Sequence, residues 1–368
     1  MTVETNTGAE VSMRGGGYYS QATIGAKDVI DRGTPLILEV LAAIDIPDDG
    51  TPFTVADIAA ADGGTSMTMI SRLLAEVRRR APSRPIQMVY TDLPHNDFSQ
   101  VFLNVHGNAD APGFADDIDD LFVFASAASF HDPILAPGTL NFGFSATAMS
   151  YLSEKPGVIS NHIHMVGATG PERDAFVEQG RRDWERILLH RARELSSGGR
   201  LVLFNSGIDE EGRYLGATGG ISMYDTYNEI WADLVEENII TRSEYVNTNF
   251  PQCYRTVEQF TAPLLDTANS VHAAGLRLEH VETRILPCPY KAAFDDHGDA
   301  ATFARDYIPT LRSWSETMFA SGLSDDRSLS ECQAILDRFY DTYEARVRDA
   351  PDGHGMDYVH CHLVISKV

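Results

Sequence analysis

Positive charge is scarce in this 368-residue chain: 29 lysines and arginines face 53 acidic residues, a formal net charge of −24 at pH 7. That deficit argues against sequence-independent binding to nucleic acid or to an anionic membrane surface, both of which rely on basic patches. Lysine stands only at Lys27, Lys155, Lys291 and Lys367. Cysteine is sparse too. Cys253, Cys288, Cys332 and Cys361 form no CxxC pair, so neither a zinc cage nor a disulfide framework is indicated, and reduced thiols in a cytoplasm fit. The uncharged stretch between Asp132 and Glu154 is broken by Pro133, Pro137, Gly138, Asn141 and Gly143, which suits buried interior rather than a membrane helix. The first ten residues hold two glutamates and no apolar run and do not read as a signal peptide. These absences predict a cytoplasmic protein that acts on a small molecule.

What is present suits a sizeable core, with 43% hydrophobic residues. A glycine triplet, Gly15-Gly16-Gly17, leads as a loop towards a helical run from Ala26 to Ile46, which Pro35 should start or interrupt. Phe53 to Ile58 reads as a buried strand, followed by the small-residue turn Ala61 to Ser66 and a helix from Met67 to Arg80. Further strands are expected at Ile86 to Tyr90, ending at Asp92, and at Leu121 to Ala125, ending at Ser129-Phe130. The amphipathic helix Arg173 to Glu194 should stop at Gly198-Gly199 before a strand from Arg200 to Asn205. The alternating segment Asp357 to Ser366 closes the chain as a returning strand. This alternation indicates an α/β fold with a mostly parallel sheet covered on both faces, its ligands at the carboxyl ends of the strands. We expect one unit over 1–368, with core sheet in about 50–205, 270–295 and 355–368, and a mostly helical cap in about 206–269 and 296–350.

Two acids end successive strands, Asp57 and Asp92. An acid at the end of the second strand can accept hydrogen bonds from a ribose diol, which implies a nucleoside cofactor. Gly63-Gly64 lets backbone approach a ligand, although the turn has neither the GxGxxG spacing of a dinucleotide site nor a phosphate-loop GKS/T. On their own the glycines could simply make a turn, and Asp92 could be a cap. The histidine pairs His162/His164 and His360/His362, like the acidic run Asp116 to Asp120, lack the convergent spacing of a metal site.

Tyr90-Thr91-Asp92-Leu93-Pro94-His95-Asn96-Asp97-Phe98 resembles the "NDLPGNDFN" stretch of the SABATH family, the salicylic acid, benzoic acid and theobromine methyltransferases. Ser129-Phe130-His131 is similar to its "SFY", and Thr139 to Ser145 with Tyr151-Leu152-Ser153 to its "TLHFxHSxxxLxWLS". Arg191 to Leu203 resembles "RAxELvpGGrmvl", and Phe250-Pro251-Gln252-Cys253-Tyr254 resembles "FnxPxY", so the likeness spans almost the whole chain. It implies a class I S-adenosylmethionine-dependent methyltransferase fold, a Rossmann-like seven-stranded sheet with a helical cap, commonly as a homodimer. It also implies a cofactor site of Tyr19, Ser20, Asp57, Asp92, Leu93, Ser129, Phe130 and Ala146, with Asp92 on the ribose, Leu93 on adenine and Ser20 near the methionine end. Departures from the family pattern are present. Its "DLGCSSGPN" stands here as Asp57-Ile58-Ala59-Ala60-Ala61-Asp62-Gly63-Gly64-Thr65; a glutamine that holds substrate carboxylate aligns with Asp28, and the partnering tryptophan with Tyr151.

The implied reaction carries a methyl group from S-adenosylmethionine to the carboxylate of a small hydrophobic or aromatic acid, leaving S-adenosylhomocysteine. A carboxylic acid with a pKa of about 4 is ionised at pH 7 and needs no general base, so the protein acts by positioning and no catalytic acid, base or metal is expected. Tyr151 could hydrogen-bond one carboxylate oxygen, with Gln21, His131, Thr147, Met223, Trp231 and Tyr358 shaping the acceptor pocket. An ionised Asp28 would repel that carboxylate unless it points elsewhere. Two alternatives remain: N-methylation of a purine-like heterocycle, and non-catalytic binding of S-adenosylmethionine through an altered first loop.

Overall fold

A computed structural model describes residues 23–107 and 113–368. Seven strands form one sheet: β1 (Phe53–Ile58), β2 (Ile86–Asp92), β3 (Leu121–Ala127), β4 (Leu140–Ala146), β5 (Leu195–Ile208), β7 (Leu276–Leu286) and β8 (Tyr358–Lys367). Their order is β3-β2-β1-β4-β5-β8-β7, and a two-residue strand β6 (Arg255–Thr256) pairs with the end of β5. The first five in this order run parallel, whereas β8 is antiparallel to both neighbours.

Side chains alternate between two apolar layers, as the pleat requires. Val55, Val202 and Phe204 face the layer of α1 (Ile24–Ala42) and α2 (Met67–Arg80), whereas Ala56, Leu201 and Leu203 face Trp184 and Ile187 of α4 (Gly170–Glu194). The helix α7 (Val257–Leu265) lies in this second layer through Phe260 and Leu264, although it falls within the range expected for the cap. Between the two layers in sequence is α3 (Phe98–His106), capped by Asp97, whose carboxylate accepts from the Gln100 backbone N–H.

Pro35 does not break α1, contrary to expectation. One face of that helix buries Val29, Ile30, Gly33, Ile37, Val40 and Leu41 against the sheet, which outweighs the roughly 3 kcal/mol of an interior proline. Gly33 is required there: a Cβ would stand 2.2 Å from the Phe204 ring. The helix α4 ends at Glu194, and Gly198-Gly199 sits instead inside β5, in a bulge where Leu140↔Leu195 is followed by Phe142↔Arg200. The sequence pattern assigned no strand at Leu140–Ala146, yet β4 is central. Its Asn141 side chain accepts the Thr54 N–H at 2.8 Å and donates to Ser196 Oγ at 3.0 Å, serving as a polar bridge across three strands.

Beyond the sheet, α5 (Met223–Glu236), α6 (Arg242–Asn247), α10 (Ala300–Gly322) and α11 (Leu329–Asp349) pack around Tyr227, Trp231, Phe250, Phe319, Phe339 and Tyr343 as an aromatic cap. Short helices α8 (Ser270–Ala273) and α9 (Pro289–His297) flank β7. No helix among the described residues is long and apolar enough to cross a membrane.

Candidate active site

The chain runs outwards from β1 through β2 to β3, then returns to the other side of β1 with β4, so the strand order reverses between β1 and β4. A crevice forms at such a point outside the carboxyl ends of the strands. Here it is a deep cavity lined by the ends of β1, β2, β4 and β5, by the first turns of α1, and by cap residues including Leu215 and Trp314.

The β1 loop carries unusual backbone. Ala59 and Ala61 have φ of 61° and 50°, and Gly63 has 71°. Left-handed alanines each store on the order of 1–3 kcal/mol and persist only where the surroundings hold them. The holding contacts are explicit: Ala60 N–H donates to Thr91 O at 3.0 Å, Ala61 N–H to Asp92 Oδ2 at 2.7 Å, and Asn96 Nδ2 to Ala61 O at 2.8 Å. The chain thus keeps, with alanine, a backbone path that glycine adopts freely.

Asp92 accepts a second backbone bond from Leu93 N–H at 2.7 Å. Burial pushes its carboxyl up, opposed by those two N–H groups and by His95. Asp57 is 3% exposed and accepts from Ser66 Oγ. Burial raises it to about 7, against the Ser66 bond and helped by the Asp92 charge. Folded protein therefore retains a proton that an unfolded aspartate, with a pKa of about 3.9, has released. Stability contributed at this site falls as pH rises from about 4 to 7 and levels off above. We expect Asp57→Asn to flatten that slope, measured as urea midpoints at pH 5, 6, 7 and 8; an unchanged slope would contradict the assignment.

Leu93, Ser129, Phe130 and Ala146 line the cavity with Asp57 and Asp92. Of the proposed acceptor residues, His131, Thr147, Tyr151 and Tyr358 line it as well. Burial holds His131 down at about 4, with both ring nitrogens lacking a hydrogen-bond partner among the described residues. Thr147 has φ of 63°. Tyr19, Ser20 and Gln21 lie outside the described residues.

Met223 and Trp231 do not reach the cavity. Met223 is buried beneath Gly216, whose carbonyl accepts its N–H at 2.8 Å. Trp231 is fully buried in the cap, its ring tilted 55° to Phe319 with centroids 4.8 Å apart, and its indole N–H donates to Thr248 Oγ1 at 3.1 Å. Asp28 is also absent from the lining, which α1 contributes through Ala26 and Ile30, while the Asp28 charge acts on Tyr290. Residues missed by sequence reasoning include Leu215, Gln252, Tyr254, Trp314 and Met356. Gln252 and Tyr254 fall in the "FnxPxY"-like segment and could have been found there. Trp314 carried no signal beyond helical spacing.

Over 255 residues the chain is 25% identical to gibberellic acid methyltransferase 2 of Arabidopsis thaliana, covering 62% of this chain and 63% of that protein. It is 25% identical over 238 residues to salicylate carboxymethyltransferase of Clarkia breweri, covering 62% of each. The chain thus spans under two thirds of the length of these relatives. A solved structure of loganic acid methyltransferase with SAH superposes with a TM-score of 0.77 at 21% identity, over 96% of this chain and 98% of that one, which shows a shared fold. Residues 10–368 match the family described as SAM dependent carboxyl methyltransferase, and the chain belongs to that family.

Proposed function

We propose that this protein transfers the methyl group of S-adenosylmethionine to the carboxylate of a small hydrophobic or aromatic acid, forming a methyl ester and S-adenosylhomocysteine. The observation that carries this reading is the left-handed Ala59–Ala61 loop fastened to Asp92, opening into one cavity with Tyr151, Trp314 and Tyr358. The residues fit the cofactor: Asp92 retains lone pairs for the ribose hydroxyls, and Leu93 and Phe130 supply apolar surface for adenine. When bound, the cofactor supplies an electrophilic methyl group on a sulfonium.

The acceptor carboxylate is already an anion at neutral pH, so this chain has no proton to remove. Its task is to strip water from that anion and aim one oxygen in line with the methyl group. One C–O bond forms as the methyl–sulfur bond breaks, and no proton moves. Tyr151 orients the other carboxylate oxygen. Tyr151→Phe is expected to raise the acceptor KM about tenfold, the loss of one hydrogen bond to a charged group, with cofactor affinity unchanged. A shifted cofactor Kd with an unaltered acceptor KM would reassign this tyrosine.

The decisive assay supplies labelled S-adenosylmethionine with aromatic, indolic, aliphatic and furan acids and with purines. Base-labile labelled products support carboxyl methylation, whereas label on purines alone rejects it. The absence of Asp28 from the cavity lining supports a carboxylate over a heterocyclic acceptor. Cofactor binding without any labelled product would favour a sensor. A homodimer is supported by Phe122 and Phe124, 49% and 47% exposed on the edge strand β3, and a cytoplasmic location by the reduced-thiol pattern; sedimentation and cell fractionation test them.

A further inference from the structure

Behind the cavity wall contributed by the "FPQCY" segment lies a buried polar network that the reaction as described does not use. Gln252, 3% exposed, lines the cavity and is joined to Tyr151 by an isolated antiparallel bridge. Residues directly opposite in such a bridge project their side chains to the same face. The amide of Gln252 and the phenol of Tyr151 therefore rise side by side from one wall.

The orientation of that amide follows from its donors. Tyr224 OH donates to Gln252 Oε1 at 3.4 Å. Burial, reinforced by the neighbouring phenols of Tyr254, Tyr151 and Tyr227, holds Tyr224 well above the usual phenol range, so it stays a donor. Tyr254 OH lies 2.6 Å from Tyr224 OH, and with Tyr254 as the donor of that bond the Tyr224 proton serves Gln252. On the other side, His164 Nδ1 accepts the Val166 N–H at 3.3 Å, which leaves the proton on Nε2. Burial keeps this ring neutral, and it stacks on Tyr224 with centroids 4.0 Å apart. Its Nε2 makes no close hydrogen bond, and interaction with the Gln252 side chain favours its protonated form, as an accepting Oε1 does. Tyr224 thus donates to Oε1, and the neutral His164 ring beside it favours an accepting oxygen at that position. The carboxamide NH2 is left to face the opposite way.

The geometry points to Gln252 as a positioning residue of this enzyme: its inward-locked Oε1 turns the NH2 into the cavity, where it and Tyr151 grip the acceptor carboxylate. This inference rests on the carboxyl-methylation reading and adds a specificity. A carboxylate accepts from both the Gln252 N–H and the Tyr151 O–H, whereas the primary amide of the same acid offers a single acceptor oxygen and two donors with nothing to meet.

The test compares wild type, Gln252→Leu and Gln252→Glu on benzoate, indole-3-acetate, hexanoate and 2-furoate, with the matching primary amides as competitors. Titration with S-adenosylhomocysteine first establishes that each variant is folded at the cofactor site. Gln252→Glu has the same shape and keeps an oxygen for Tyr224 and His164, so it decides the matter where Gln252→Leu does not fold. We expect the KM of the best acid to rise about tenfold in Gln252→Leu and at least thirtyfold in Gln252→Glu, with cofactor affinity within threefold of wild type. We also expect Gln252→Glu to reverse the preference for acid over amide, a change that a purely structural role would not produce. If wild type forms base-labile esters yet both variants keep their acid KM and their preference for acid, the Gln252 assignment is overturned and carboxyl methylation stands. If wild type forms no base-labile ester from any acid, both readings fall together.

Discussion

Replacing Asp92 with alanine is expected to weaken cofactor binding about 100-fold, roughly 3 kcal/mol, without unfolding the protein. Two losses combine. The ribose hydroxyls lose a charged acceptor, worth about 1.5–3 kcal/mol. The Ala61 N–H, held at 2.7 Å by Asp92 Oδ2, loses the partner that keeps the left-handed Ala59–Ala61 turn in place. Relaxation of that turn costs further affinity because its backbone shapes the same cavity. Asp92→Asn keeps one acceptor oxygen and should lose only about tenfold. Calorimetric titration with S-adenosylhomocysteine checks both, and a Kd for Asp92→Ala within threefold of wild type would remove Asp92 from the ribose site.

The second large effect concerns a residue that reaches no ligand. Glu194, 1% exposed, pairs with the fully buried Arg191, whose Nε and Nη2 meet its two oxygens at 2.6 and 2.8 Å. The same guanidinium donates to Phe130 O at 3.0 Å and Asp132 O at 2.8 Å, and Glu194 Oε1 accepts Ile134 N–H at 2.7 Å. The pair staples the 130–134 loop, which carries Phe130 and His131 into the cavity, onto the end of α4. Glu194→Ala leaves a buried guanidinium without its counter-charge, so a stability loss of about 3–5 kcal/mol is expected, with cofactor affinity falling as the loop loosens. Urea unfolding measures that loss; a loss below about 1 kcal/mol for Glu194→Ala would contradict the staple.

Both residues sit in segments whose pattern was readable from the chain. The strands at Phe53–Ile58 and Ile86–Asp92 and the helix Met67–Arg80 follow from local apolar spacing and turn chemistry, which act within a few residues. The two strand-end acids and the turn after Asp57 were visible for the same reason. Central strand β4 was hidden because Asn141 and Gly143 weaken any strand signal: their value lies in the Thr54 and Ser196 bonds and in room for Leu201, which a Cβ on Gly143 would approach to 2.6 Å. Pro35 misled in the opposite direction, since burial of a whole helix face overrode a local preference.

The cavity divides along the same line. Local sequence determined the alternating elements, the acids at the strand ends and the motifs that mark the family. Tertiary structure alone decided that Trp231 is cap core while Trp314 lines the site, that Asp28 stays out of the cavity lining, and that Ala59 and Ala61 hold a left-handed path. It also decided which way the Gln252 amide faces, through donors drawn from positions 164 and 224. The physical reason is range: periodicity and capping depend on neighbours along the chain, whereas pocket lining, backbone strain and hydrogen-bond direction depend on groups that only folding brings together.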